Sequence, residues 1–307
     1  IPSREGGIEV VVEELCTRMA KAGHEVTCYN RKGHHVSGAE FDNDKIKIYK
    51  GIRIKDVLTI KKKGLAAFTA AFFSSIFTAF GKYDIVHIHA EGPAIFCWIP
   101  KIFGKKIIVT IHGIDHFREK WKGSIGAKLI LLGEKCAVRF ADEIIVLSKS
   151  TYEYFREKYN RETVIIPNGV DRFEFSNSNL IKKNYGLEKG SYLLFVGRLV
   201  PEKGLRYLIE AFKCVDTDKR LVIAGGSSDT ADFKKELEEM AKEDERILFT
   251  NFVQGQTLNE LYSNAYIYIL PSDLEGMPLS LLEAMSFGNC CLTSDIEECA
   301  NLVEDFA

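Results

Sequence analysis

An α/β fold of two parallel-sheet domains is what this sequence predicts, on three observations. Short β-branched runs alternate with helical patterns from end to end. The runs are apolar on both faces, as strands covered by helices on two sides must be. The charge also changes sign along the chain: residues 1–170 hold 27 Lys and Arg against 19 Asp and Glu, and residues 171–307 hold 14 against 24. A chain of 307 residues is too long for one compact core and suits two of about 150 residues each. Apolar residues at 46% and charged residues at 27% exclude a fibrous or disordered chain. No stretch reaches the roughly 18 uninterrupted apolar residues of a membrane-spanning helix.

The elements follow in order. The chain opens at Ile1 without an initiator methionine or a leader-like segment, so more chain is expected before it. Glu5-Gly6-Gly7 leads into a helix over 7–22, where Ile8, Val11, Val12, Leu15 and Met19 form one stripe at helical spacing. Gly23 supplies its left-handed stop. Strands are expected over 26–30, 85–88, 107–111, 144–147 and 164–166, then over 192–196, 221–224, 247–250, 266–270 and 290–293. Strand–helix alternation of this length implies parallel sheets, in two Rossmann-like domains with a cleft between them. The boundary falls at the turn signal Pro167-Asn168-Gly169-Val170-Asp171, giving domains 1–170 and 171–307, with a polar, strand-free stretch over 172–190.

The eight cysteines show no CxxC and no zinc-like pairing with histidine. Most lie in apolar stretches, as buried free thiols do, which predicts a reducing cytosol.

Ligands of open α/β sheets sit beyond the C-terminal ends of the strands, so polar residues directly after a strand carry the search for a site. After 192–196 comes Gly197-Arg198-Leu199-Val200-Pro201-Glu202-Lys203-Gly204. Gly197 permits close backbone approach, and Arg198 and Lys203 bring two cations to one loop, a fork and a point charge that suit a diphosphate. A surface loop with solvated cations is the plain alternative. After 266–270 comes a segment with Glu275-Gly276-Met277-Pro278-Leu279 and a helix over 279–287 that contains Glu283. Proline suits the first turn of that helix, whose free amides make an anion site. A carboxylate among ligand hydroxyls can accept hydrogen bonds or stabilise positive charge; a solvated helix glutamate is the alternative. After 107–111 comes His112, well placed for a cleft, although a lone histidine is more often structural. Gly6-Gly7 approximates a phosphate loop without the GxGxxG pattern.

Together these segments resemble the retaining glycosyltransferases of family 4, which have the GT-B fold. The resemblance covers nearly the whole chain: GGIEVVVEELCTRMAKAGHEV, VTIHG, IPNGVD, FVGRLVPEKG and PSDLEGMPLSLLEAMSFG. Its most specific piece is Glu275 and Glu283 in E-x7-E spacing. The resemblance implies a nucleotide-diphosphate sugar donor and an acceptor hydroxyl on a glycan or glycolipid, in the making of lipid-linked or cell-surface polysaccharide. Arg198 and Lys203 match the pair that neutralises the diphosphate, and Glu283 the glutamate on the ribose. Glu275 matches the glutamate at the donor sugar, with Gly276, Met277, Pro278 and Leu279 wrapping sugar and phosphate. His112 matches the histidine that reaches the sugar, Gly6 and Gly7 the loop beneath it, and Val253 a backbone contact to the base. No cofactor beyond the donor is implied. The family chain usually begins with a strand before the Gly-Gly loop and continues past the position of Ala307, so the resemblance implies a fragment.

Positive charge from Arg198 and Lys203 leaves no demand for a metal. The tripeptides Asp42-Asn43-Asp44 and Asp216-Thr217-Asp218 follow no apolar strand and read as solvated loops. Competing functions are a nucleotide-sugar epimerase or phosphorylase of the same fold, a non-catalytic nucleotide-sugar-binding protein, and an oxidoreductase, which would want GxGxxG after a strand. A last feature concerns partners. Residues 45–63 carry seven Lys and one Arg against one Asp, and the uncharged residues 64–80 carry Phe68, Phe72, Phe73, Phe77 and Phe80. This combination fits an anionic membrane surface, on the inner face of which a cytoplasmic protein would dock peripherally. A helix packed on the sheet is the stronger alternative. No nucleic-acid reading motif is present.

Overall fold

The computed structural model describes residues 1–2, 6–31, 46–60, 65–117, 123–226 and 231–303. The chain forms two units, Ile1–Pro167 and Asn168–Ala307. They part just before the expected position because Asn168 already belongs to the second unit. Its backbone N–H lies 3.1 Å from the Met277 sulfur, and its side-chain amide donates to the Met277 carbonyl at 3.2 Å.

Among its described residues the first unit has seven strands: β1 Thr27–Arg31, β2 Ile48–Tyr49, β3 Ile52–Val57, β4 Ile85–His89, β5 Lys106–Ile111, β6 Glu143–Val146 and β7 Val164–Ile165. Strands β4 to β7 form one parallel sheet in chain order, and a second, mixed sheet has the order β1-β3-β2, with β1 parallel and β2 antiparallel to β3. The helices are α1 Gly7–Lys21, α2 Leu65–Phe80, α3 Glu91–Ala94, α4 Trp98–Ile102, α5 Ile125–Phe140 and α6 Lys149–Tyr159. Two of them start where a serine accepts a backbone N–H. Ser124 takes that of Ala127 at 3.2 Å, and Ser148 that of Thr151 at 3.3 Å. Ile107, Val109, Ile111, Ile144, Val146 and Phe155 make the core of this unit, all fully buried.

The first unit departs from expectation at three places. Residues 48–57, expected as part of a basic segment, form an antiparallel hairpin. Lys50 at φ 46 and Gly51 at φ 84 give it the left-handed turn that matches strand twist. In α1 the buried residues are Glu13, Cys16 and Thr17, whereas Leu15 and Met19 of the expected inner stripe are exposed. Glu13 is drawn inward by the Tyr49 hydroxyl at 2.9 Å and the Lys50 ammonium at 2.8 Å. In α2 the buried residues are the small ones, Ala70, Ser75, Thr78 and Ala79. The phenylalanine side instead meets α4 and its approach, with Phe68 and Phe72 against Phe96 and Phe80 against Phe103.

The second unit has β8 Tyr192–Val196, β9 Arg220–Ala224, β10 Ile247–Asn251, β11 Ile267–Leu270 and β12 Cys291–Thr293. Around them lie α7 Asn179–Tyr185, α8 Leu205–Lys213, α9 Ala231–Ala241, α10 Gln256–Asn264, α11 Leu279–Ser286 and α12 Glu297–Val303. All five strands are parallel, in the order β10-β9-β8-β11-β12. Leu221, Val222, Ile223 and Ala224 are each fully buried, so successive residues of β9 are covered on both faces.

Among the described residues no helix is long and apolar enough to cross a membrane. The eight cysteines are free, with the Cys16 and Cys28 sulfurs 3.5 Å apart.

Candidate functional site

The strand order of the second unit fixes where a ligand fits. Chain connections leave β8 toward β9 on one side, whereas β11 lies on its other side. The loops after β8 and β11 therefore diverge and open a crevice between them. These are the two loops that carry Arg198 and Lys203, and Glu275 to Leu279.

Glycines let the loops approach. A Cβ on Gly204 would stand 1.8 Å from the Pro271 carbonyl oxygen; on the other side of the β8 loop, one on Gly225 after β9 would stand 1.7 Å from the Gly197 carbonyl oxygen. Gly204 also has φ 68, a conformation glycine adopts without strain. The Asp273 N–H donates to the Glu202 carbonyl at 2.9 Å and ties the two loops together. Across the tie, the Lys203 ammonium lies 2.5 Å from the Glu275 carboxylate, with side-chain exposures of 13% and 9%. Arg198 sits half-buried on the same loop as Lys203. The expected diphosphate cation and sugar carboxylate thus hold each other.

Helix α11 begins after Pro278, which occupies its N-cap. Inside it, Glu283 accepts a hydrogen bond from the Tyr262 hydroxyl at 2.9 Å, and burial raises its carboxyl above the ordinary range. Tyr268 is fixed beside it, its hydroxyl 2.8 Å from the Ser280 hydroxyl. Gly276, Met277 and Leu279 are partly buried on the same loop, and Val253 is partly buried beyond β10.

In the first unit, His112 follows β5 and is 9% exposed. Its Nε2 lies 3.0 Å from Nδ1 of His89, at the end of β4. The His89 ring stacks on His87 at 4.2 Å between centroids, and the His87 Nε2 lies 2.7 Å from the Thr110 hydroxyl. Burial depresses all three imidazoles, His87 and His112 to about 4, so the rings are neutral near pH 7. Gly6 is the N-cap of α1 and Gly7 its first residue.

One group among the described residues has the spacing of metal ligands: Glu91, His116 and Glu134 offer atoms within 4.8 Å of one another. It neutralises itself. The Lys158 ammonium lies 3.1 Å from Glu134, which also accepts from the Tyr154 and Tyr159 hydroxyls. Burial pushes Glu91 up to about 10, so it keeps a proton beside Glu134. Asp216 and Asp218 are exposed, on a loop whose Thr217 carbonyl accepts from Arg246. Asp42 and Asp44, with Glu5, lie outside the described residues.

Comparison with known proteins places these features in a family. The model described as Glycosyltransferase Family 4 matches residues 5–172, more than half of the chain, and that of Glycosyl transferases group 1 matches 177–307. The chain belongs to glycosyltransferase family 4. An uncharacterized glycosyltransferase, MJ1607, of Methanocaldococcus jannaschii is 25% identical to this family 4 chain, over 96% of it and 78% of the relative. An Escherichia coli UDP-Gal:alpha-D-GlcNAc-diphosphoundecaprenol alpha-1,3-galactosyltransferase is 31% identical over 70% of the chain, which spans 58% of that enzyme. Among solved structures, Anabaena Alr3699/HepE with UDP and glucose has a TM-score of 0.76 at 16% identity, covering 99% of this chain and 80% of its own. The lipopolysaccharide glycosyltransferase WaaG has a TM-score of 0.77 at 17% identity, covering 99% and 81%. These likenesses establish the GT-B fold.

Several residues of the family 4 chain escaped the sequence reading. His87 and His89 stand two apart on one strand and so share a face, a visible signal that was passed over. Glu91, Glu134 and Tyr262 gave none, since their partners lie far along the chain.

Proposed function

We propose that the chain transfers a sugar, with retention of anomeric configuration and without a metal, from a nucleotide-diphosphate sugar to an acceptor hydroxyl. The observation that carries this is the buried Lys203–Glu275 pair at the β8/β11 crevice. A diphosphate displaces Glu275 from Lys203 and takes its place, while the freed carboxylate accepts hydrogen bonds from the donor sugar. Arg198 adds a second positive charge. Gly276 and Met277 of the loop and Leu279 at the N-terminus of α11 offer backbone donors, Pro278 shapes the turn between them, Glu283 takes the ribose hydroxyls, and Val253 flanks the base. As the glycosidic bond breaks, negative charge grows on the diphosphate and positive charge on the sugar carbon. A preorganised group facing such charge is worth about 3 kcal/mol. His112 acts on the donor sugar, and Gly6 and Gly7 allow close backbone approach.

The acceptor is a lipid-linked or cell-surface glycan precursor. The Escherichia coli relative acts on a diphosphoundecaprenol substrate by its name, and the C-terminal end of α2 leaves two phenylalanines largely exposed. Phe77 is 47% and Phe80 73% exposed, beside exposed Trp98, Ile102 and Phe103 of the neighbouring segment. Such a surface beside basic residues suits an anionic membrane. Lys61, Lys62 and Lys63 lie outside the described residues.

The test is release of nucleoside diphosphate from a panel of UDP-, GDP- and ADP-sugars, with and without undecaprenyl-diphosphate-linked acceptors and with EDTA. Release that depends on acceptor, survives EDTA and yields the donor's anomer in the product is expected. Inversion, or abolition by EDTA with rescue by manganese, overturns the corresponding part. Calorimetry with UDP and with uridine provides a binding arm: Arg198→Ala and Lys203→Ala should weaken UDP and spare uridine.

A further inference from the structure

We propose that His89 is a positioning residue, which holds the His112 ring in one orientation and one neutral tautomer and thereby decides whether His112 offers a sugar hydroxyl a donor or an acceptor. The proposal rests on the assignment of His112 to the donor sugar and deepens it.

The geometry leaves the pair little choice. A neutral imidazole has one N–H, so a hydrogen bond between two of them uses one proton and fixes the other nitrogen of each ring. With His89 Nδ1 and His112 Nε2 3.0 Å apart, only two arrangements exist. If His89 donates, His112 carries its own proton on Nδ1 and presents a donor there. If His112 donates, its Nδ1 is bare and presents an acceptor. The tautomer of His112 is thus set by the tautomer of His89, and removing His89 takes that constraint away.

His89 is itself held from two sides. Its ring stacks on His87, whose Nε2 reaches the Thr110 hydroxyl at 2.7 Å. Residue 110 is also the register partner of His89 across β4 and β5, and its carbonyl accepts the next N–H, that of Ala90, at 2.9 Å. Ala90 has φ 76, a left-handed value that strains a non-glycine residue. One buried and two partly buried imidazoles beside a strained residue at one strand end form a costly arrangement for mere packing, since apolar side chains would fill the same space without a hydrogen-bonding requirement. In metal sites, partners that orient a functional histidine through its second nitrogen are a recurring device, and their loss lowers activity about 10- to 100-fold, the scale adopted for His89.

The test begins with the wild-type full chain, whose His112 ring is assigned by comparison with His112→Gln and measured by 15N NMR. Two well-separated ring nitrogens, one protonated and one bare, are expected, and a tautomer-averaged pair overturns the proposal without any variant at His89. In His89→Phe the two signals should move toward the average while the melting temperature still shows a folded chain. His89→Asn, whose amide can replace the Nδ1 contact, should recover the separated signals. Turnover is then followed on whichever sugar nucleotide the wild type consumes. His89→Phe should lower kcat about 10- to 100-fold with little change in KM, and His89→Asn should restore most of it. Unchanged ring signals or unchanged kcat in His89→Phe overturns the proposal. Wild-type turnover in His112→Gln instead refutes the role of His112, and the ring measurement still stands.

Discussion

Glu275 faces two demands at once, and its variant separates them. While it occupies Lys203, any diphosphate must first break a buried ion pair. Glu275→Gln removes that competitor, so UDP should bind at least as tightly as to the wild type by calorimetry. The neutral amide cannot stabilise positive charge on the sugar, so turnover should fall at least 100-fold, on the scale of about 3 kcal/mol for a preorganised charge. Weaker UDP binding or wild-type turnover contradicts the exchange. Glu91 gives a second residue-scale expectation. Its carboxyl goes from the ordinary 4.5 to about 10 in the fold. Between these values the folded chain binds the extra proton, so stability is greatest at low pH and falls as pH rises through the window. Melting temperatures from pH 6 to 9 should therefore decline more for the wild type than for Glu91→Gln, whose amide donates to Glu134 at every pH. Equal slopes would dismiss the shared proton.

At the scale of elements, the strands of the two larger sheets were legible, edges included, and the hairpin in the smaller sheet was not. Residues 192–196 were read to the residue, because β8 is paired on both sides and covered on both faces. The hairpin of β2 and β3 was missed although Lys50-Gly51 is a turn signal, since β2 is two residues long and the basic character of the segment dominated. The inner face of α1 was misread because a glutamate held by Tyr49 and Lys50 turned inward, which apolar periodicity cannot anticipate. The two site loops were legible because each follows a strand directly; their mutual distance was not, as it depends on Gly204 against Pro271. Gly204→Ala tests that approach. Its Cβ meets a carbonyl oxygen and its φ is 68, so destabilisation of at least about 2 kcal/mol is expected by denaturant titration. The variant should also weaken UDP binding, as the loops separate. Unaltered stability would mean the loops do not meet.

For the whole molecule, the excess of cations in the first half and of anions in the second was visible from composition alone. What the cations serve was not, because charge and apolar runs fit a helix packed on the sheet better than an interfacial one without deciding between them. The exposure that Phe77 and Phe80 keep at the end of α2 is the feature in favour of the interfacial role. Vesicle co-sedimentation measures it: binding should require anionic lipid and weaken with salt. It should drop when Lys61, Lys62 and Lys63 become glutamine, and when Phe77 and Phe80 become serine. Equal recovery with neutral and anionic vesicles, or none with either, would exclude a membrane role.

The Lys203–Glu275 pair bears also on how this crevice could be blocked. An anionic mimic of the diphosphate satisfies the lysine and strands the carboxylate in a poorly hydrated place, so part of its attraction is spent on parting the two. A compound carrying a phosphate and, a few atoms away, an ammonium or amidinium group would meet both side chains and leave neither stranded. Zwitterionic character, rather than greater negative charge, is thus the feature to build into an inhibitor of this protein.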